Sequence, residues 1–143
     1  MTNWFECKVR YTRVLESGMQ KAVTEPYLVD ALSFTEAEAR ITQEMAPYIS
    51  GDFVVTAVKR EKLADVFYDS TGDRWYKVKY NIITIDEKTA AEKRTSATAL
   101  VQAGELQKAL DNFMAGMKGT MADFEVAAVT ETAIMDVFPV KLG

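Results

Sequence analysis

The segment Asp52-Phe53-Val54-Val55-Thr56-Ala57-Val58 returns later in the chain as Asp123-Phe124-Glu125-Val126-Ala127-Ala128-Val129, and Asp65-Val66-Phe67 returns as Asp136-Val137-Phe138. The two returns share one spacing (123 − 52 and 136 − 65, both 71), so they form a register and not two coincidences. A duplicated unit constrains architecture before anything else. Each copy must solve the same folding problem, and stacked copies then bury apolar faces that neither can bury alone.

In the first copy, Phe5, Cys7, Val9 and Tyr11 alternate with Trp4, Glu6, Lys8, Arg10 and Thr12, the period of a half-buried strand. Glu16-Ser17-Gly18 turns the chain into a second extended stretch over Gln20 to Ala31. Pro26 marks an edge or a bulge within that stretch. Ser33-Phe34-Thr35-Glu36 is a capping-box pattern, and Phe34, Ala37, Ile41, Met45 and Ile49 follow at helical spacing until Pro47 and Gly51 end the helix. Strands are expected over Phe53–Lys59 and Leu63–Tyr68, and Asp69-Ser70-Thr71-Gly72-Asp73 turns into the second copy.

That copy replays the order. Its strand Trp75–Ile85 is followed by a turn at Asp86-Glu87-Lys88, a strand over Arg94–Ala103 and a helix over Glu105–Met117. Strands near Phe124–Thr130 and Ile134–Val140 close it. Leu106, Ala109, Phe113, Met117 and Met121 repeat the helical stripe one residue out of the strand register, so the second helix-to-strand connection is one residue shorter. The expected fold is α+β: a tandem ββαββ repeat with pseudo-twofold symmetry, its antiparallel sheet carrying two helices on one side. The chain reads as a single domain, 1–143, of two repeats of about 1–71 and 72–143. With so few helices, one sheet face is left for a function.

Composition narrows the chemistry. Histidine is absent, which removes the commonest general base and the commonest zinc ligand together. Cys7 is the single cysteine and lies among alternating apolar residues, so it reads as a core thiol. No Gly-x-Gly-x-x-Gly or Walker pattern occurs. No apolar run is long enough to span a bilayer, and no signal-peptide pattern opens the chain; a cytoplasmic protein with no membrane role is expected. The net charge of −4 repels a polyanion at long range, so nucleic-acid binding would need a local patch.

Such a patch is offered by Trp4, Lys8 and Arg10 on one face of the leading strand, answered by Trp75, Lys77 and Lys79 in the second copy. Stacking rings beside phosphate-neutralising cations are what single-stranded nucleic acid requires, and Lys59, Arg60, Lys62 and Arg74 would extend the patch. The same residues also suit a solvated strand face protected against edge pairing. A second candidate is the repeated carboxylates, Asp52 with Asp123 and Asp65 with Asp136. Without a clustered third ligand their recurrence follows from repeated structure, so neither a metal nor a cofactor is expected. The stripe Met45, Tyr48, Phe113, Met114, Met117 and Met121 reads as core, with an adaptable partner surface at Met114, Met117 and Met121 as the lesser alternative.

Trp4-Phe5-Glu6-Cys7-Lys8-Val9, Phe34-Thr35-Glu36-Ala37-Glu38-Ala39, Gly72-Asp73-Arg74-Trp75 and Met117-Lys118-Gly119-Thr120-Met121-Ala122-Asp123-Phe124 resemble the small Bacteroidetes and phage-associated family catalogued as domain of unknown function 4494. The resemblance spans nearly the whole chain and implies a cytoplasmic protein of gut-type bacteria or their mobile elements. It brings no activity, substrate or residue role. The expectation is a non-enzymatic binding module with no catalytic residues. Its first reading is nucleic acid on the aromatic and basic face, and its second is a protein partner or a homo-oligomer. A small ligand held between the halves is a third.

Overall fold

The computed structural model describes residues 3–140. Its first hairpin pairs β1 (Trp4–Val14) with β2 (Gln20–Asp30) in antiparallel register from Trp4↔Asp30 to Val14↔Gln20. Helix α1 (Phe34–Met45) starts at Ser33, whose Oγ accepts the Glu36 N–H at 3.1 Å, while the Glu36 carboxylate accepts the Leu32 N–H at 3.1 Å. The Ser33 half of the capping pattern read from the sequence is therefore made, while the Glu36 carboxylate reaches back one residue past the N-cap, to Leu32. β3 (Phe53–Glu61) returns along the other side of β1, and β4 (Asp65–Phe67) follows.

The second copy repeats these steps as β5 (Arg74–Ile85), β6 (Glu92–Ala103), α2 (Leu106–Gly116), β7 (Asp123–Glu131) and β8 (Val137–Phe138). The fold is α+β, with the ββαββ order written twice. Between α2 and β7 lie residues 117–122, against 46–52 between α1 and β3, so the second connection is shorter by one as the stripe required. The compensating extra residue sits in the hairpin loop, 86–91 against 15–19. Even the irregularities repeat: a bulge leaves Thr56 unpaired in β3 and Ala127 unpaired in β7, each opposite the same step of its neighbour.

Two sheets form, each with a parallel pair that the antiparallel expectation did not include. One runs β3-β1-β2-β8 and the other β4-β6-β5-β7. The last strand of each repeat completes the other repeat's sheet. β8 lies parallel to β2 (Leu28↔Val137, Val29↔Phe138), and β4 lies parallel to β6 (Val66↔Leu100, Phe67↔Val101). Accordingly the chain divides into two compact units, 1–62 with 133–143, and 63–132. The closing strands are much shorter than the expected Leu63–Tyr68 and Ile134–Val140. Pro26 suits this layout. The Leu28 N–H points outward to the Asp136 carbonyl, so the nitrogen of Pro26, two residues earlier, faces the same outer side, and its missing N–H breaks no bond to β1.

Each unit packs its helix on one sheet face over nine equivalent positions. In the first they are Phe5, Cys7, Val9, Tyr27, Val29, Ala31, Ala37, Ile41 and Met45. In the second they are Tyr76, Val78, Tyr80, Ala99, Val101, Ala103, Ala109, Phe113 and Met117. The side chains differ while the space is conserved: Val9 and Tyr27 become Tyr80 and Ala99, a large and a small residue exchanging places on one face.

The exchanged strands are anchored in matching ways. Arg40 of α1 donates to the Asp30 carbonyl and, at 3.1 Å, to the Pro139 carbonyl just past β8. Asn112, at the equivalent position of α2, donates to the Gln102 carbonyl at 3.0 Å and to the Asp69 carboxylate just past β4 at 2.9 Å. Phe138 stacks on Tyr27 with centroids 6.0 Å apart, and Phe67 meets Phe113 edge-on at 6.2 Å. Gly116 makes the second contact feasible, because a Cβ there would lie 2.6 Å from the Phe67 ring.

Candidate interaction surface

Alternation along β1 and β5 places Trp4, Lys8 and Arg10, and likewise Trp75, Lys77 and Lys79, on the sheet face away from the helix. Lys8 sits between Pro26 and Ala57, and Arg10 between Thr24 and Val54. In the second unit Lys77 sits between Leu100 and Thr130, and Lys79 between Thr98 and Ala128. Lys8, Arg10 and Lys79 are exposed and Lys77 is half-buried.

The aromatic half of the expected surface is corrected. Trp4 is 7% exposed and Trp75 2%, and Tyr68 packs edge-on against Trp75 at 5.8 Å. A base cannot stack on a ring whose faces are already covered. Three of the four residues expected to extend the cationic patch are also engaged. The Arg60 guanidinium lies 5.5 Å from the Phe5 ring centroid, Arg74 pairs with Glu131 at 3.4 Å, and Lys59 pairs with Glu61 at 3.8 Å. Arg94 and Glu125 form a further ion pair on the second sheet. Both signs of charge therefore mix on these faces.

Asp52 and Asp123 are exposed at the entrance to β3 and at the start of β7. Asp65 is the exposed first residue of β4, as expected, whereas Asp136 lies just before β8 and accepts the Val137 N–H at 2.8 Å, so it is not within a strand. Among the described residues no three His, Cys, Asp or Glu side chains are grouped to hold a metal, and no helix is long and apolar enough to cross a membrane. The methionine and aromatic stripe divides. Met45, Phe113 and Met117 are buried, whereas Tyr48, Met114 and Met121 are exposed, as are Phe34 and Leu106 at the helix starts.

Sequence reasoning missed one polar cluster. Tyr11 donates its hydroxyl to Glu25 at 2.6 Å, Arg13 reaches the other oxygen at 3.0 Å, and the Tyr27 hydroxyl lies 3.5 Å away. The carboxylate is spoken for by three donors. Burial, and then the Glu25 charge, raise the Tyr27 phenol well above its ordinary range. The hairpin register would have revealed the cluster, since Tyr11 and Arg13 share a face with Glu25 across one turn.

Cys7 is fully buried, and burial, followed by the nearby Glu6 and Glu38 carboxylates, pushes its thiol from 9.0 up to about 11. Below pH 9 both folded and unfolded chains keep the proton and the full stability is present. As pH climbs toward 11 the unfolded thiol ionises while the folded one does not, so stability falls. Denaturant midpoints measured across that window should drop more steeply for the native chain than for Cys7→Val, which installs the residue of the equivalent position, Val78. Equal slopes would remove the thiol from the account.

Each sheet has one long and one short edge strand: β3 and the two-residue β8 in the first, β7 and the three-residue β4 in the second. Over Phe53-Val54-Val55-Thr56-Ala57 β3 carries neither charge nor proline, and Val54 is 61% exposed with Thr56 and Ala57 also open. Beside its start runs a cleft of about 420 Å³, floored by Phe53, Val54 and Val55 and walled by Glu38 and Thr42 of α1 with Gly51 and Asp52 of the turn. Gly51 takes a positive φ of 96° to swing the chain from α1 into β3, a conformation other residues adopt only at a cost. The second sheet's edge is more acidic, with Asp123, Glu125 and Glu131 along β7.

A family model described as Domain of unknown function (DUF4494) matches residues 3–140. Neither a curated protein nor a solved structure matches the chain.

Proposed function

The chain belongs to the DUF4494 family, and from that premise we propose that it is a non-enzymatic, cytoplasmic binding module whose ligand is a protein strand added to the edge of β3. One observation carries the reading: the outer strand β3 leaves an uncharged, proline-free stretch open over Phe53–Ala57. Sheet edges that are meant to stay unpaired are blunted with lysine, proline or inward charge. Lys59 and Arg60 blunt the far end of β3, whereas over Phe53–Ala57 only the Thr56 bulge interrupts the edge. A strand laid along it gains main-chain hydrogen bonds, with alternate side chains supplying selectivity.

A photo-crosslinking residue at position 54, irradiated in cells, should give a product whose partner peptide is a protein, and Thr56→Lys should abolish it. The nucleic-acid reading rests on Lys8, Arg10, Lys77 and Lys79 alone, now without stacking rings. Labelled single-stranded DNA and RNA titrated at low and physiological salt should show no saturable binding. Binding that falls steeply with salt and vanishes in the Lys77→Glu, Lys79→Glu chain would replace the present reading.

A further inference from the structure

We propose that the cleft between α1 and the start of β3 selects a cationic extended segment of a partner protein, which pairs with Phe53–Val55 and points alternate Lys or Arg side chains at Glu38 and Asp52. This rests on the strand-addition reading above and names its partner's chemistry.

In an added strand successive side chains alternate between the two sheet faces, so every second one turns toward the helix side. On that side, beside β3, lies the cleft. Its two charged lining residues are both carboxylates, Glu38 and Asp52, and no cation lines it. The hydroxyl of Thr42 is already donated to the Glu38 carbonyl at 2.8 Å. Neither carboxylate is engaged in an ion pair among the described residues, and both are exposed. Exposed carboxylates lose little solvation when a cation arrives, and complementary charge then sets the choice of partner and its direction along the edge. The bulge at Thr56 changes the direction of the free edge, so the straight part available is Phe53–Val55, the part that floors the cleft.

The duplication supplies an internal control. At the positions of α2 equivalent to Glu38 and Thr42 stand Leu110 and Met114, the latter exposed, while Asp123 matches Asp52. The copies share their nine core positions and differ where the cleft would meet a partner. A cationic strand therefore has a carboxylate wall beside β3 and an apolar one beside β7, where the additional edge carboxylates Glu125 and Glu131 are already paired with Arg94 and Arg74.

The test is an amide NMR titration of the full chain with a synthetic octapeptide alternating Lys and Val, and with its Glu-for-Lys counterpart. The Lys peptide should shift amides of Phe53–Thr56 and Glu38–Thr42, leave β7 and α2 unmoved, and bind about tenfold more weakly to the Glu38→Gln, Asp52→Asn chain, a loss of about 1.4 kcal/mol. The Glu peptide should leave the spectrum unchanged. Both substitutions are at exposed sites, and unchanged shifts elsewhere verify the fold. Equal β3 shifts from both peptides, or no weakening in the double variant, would overturn cationic selection while leaving strand addition standing. Shifts scattered over β7 as much as β3 would mean nonspecific charge pairing and overturn the cleft. Shifts at β3 that grow with protein concentration alone would make the occupant a second copy and also overturn it. Silence at β3 alongside a protein crosslink from position 54 would overturn the cleft alone, and silence in both experiments would end both readings.

Discussion

A chain that stops at Met135 should lose its first unit and keep its second. The missing residues sit at the end of the second repeat, yet β8 closes the sheet of the first. Val137 is 6% exposed and Phe138 stacks on Tyr27, and burying such side chains contributes about 1.5–3 kcal/mol each. Leu28 also loses the Asp136 carbonyl, and Arg40 loses the Phe138 and Pro139 carbonyls. A deficit of roughly 3–6 kcal/mol is a large share of the 5–15 kcal/mol typical of whole domains. Native-state hydrogen exchange should show protection collapsing in β1, β2 and α1 while β5, β6 and α2 hold. Loss confined to β5–β7 would contradict the assignment of β8 to the first unit.

The second large effect is expected at Phe113. Its fully buried ring meets Tyr80 at 5.1 Å, Phe124 at 5.8 Å and Phe67 at 6.2 Å, so it joins the helix to three strands of the second unit at once. Phe113→Ala removes those contacts and leaves a void that three rigid neighbours cannot readily fill, for a cost of about 3–5 kcal/mol. Ile41 occupies the same position in the first unit, where a smaller side chain leaves a smaller gap. Urea unfolding followed through Trp75 should record the loss, since that indole belongs to the damaged unit. A change below about 1 kcal/mol would mean the aromatic group repacks around the gap.

Most of the local structure was legible in the residues. Ser33 and Glu36 announced the start of α1, the spacing of Ala37, Ile41 and Met45 gave its buried face, and the displaced stripe of α2 gave the shortened connection. Periodicity failed where the answer depends on distant chain. It placed Trp4 and Trp75 on the correct face but could not say that the face is covered there. It could not say which sheet Asp65–Phe67 and Val137–Phe138 would join, because strand propensity is the same on either side of a short connection. The stripe was also extended too far. Met121 follows Met117 at helical spacing, but the helix has ended by then and the side chain is 99% exposed. The cleft beside β3 was hidden for a related reason, since Glu38 and Asp52 line one cleft only when helix and strand are packed.

The reciprocal loan of closing strands bears on how such a chain can be shortened or can have arisen. In this topology a half-length gene encoding one repeat yields a polypeptide that carries a strand for its neighbour and lacks the one it needs, so it is complete only as a pair of molecules trading ends. Joining two such genes head to tail turns that trade into an internal transaction independent of concentration. Either half can then drift in sequence on its surface, as the α1 and α2 walls have done, provided the two lent strands still fit the sheets that receive them.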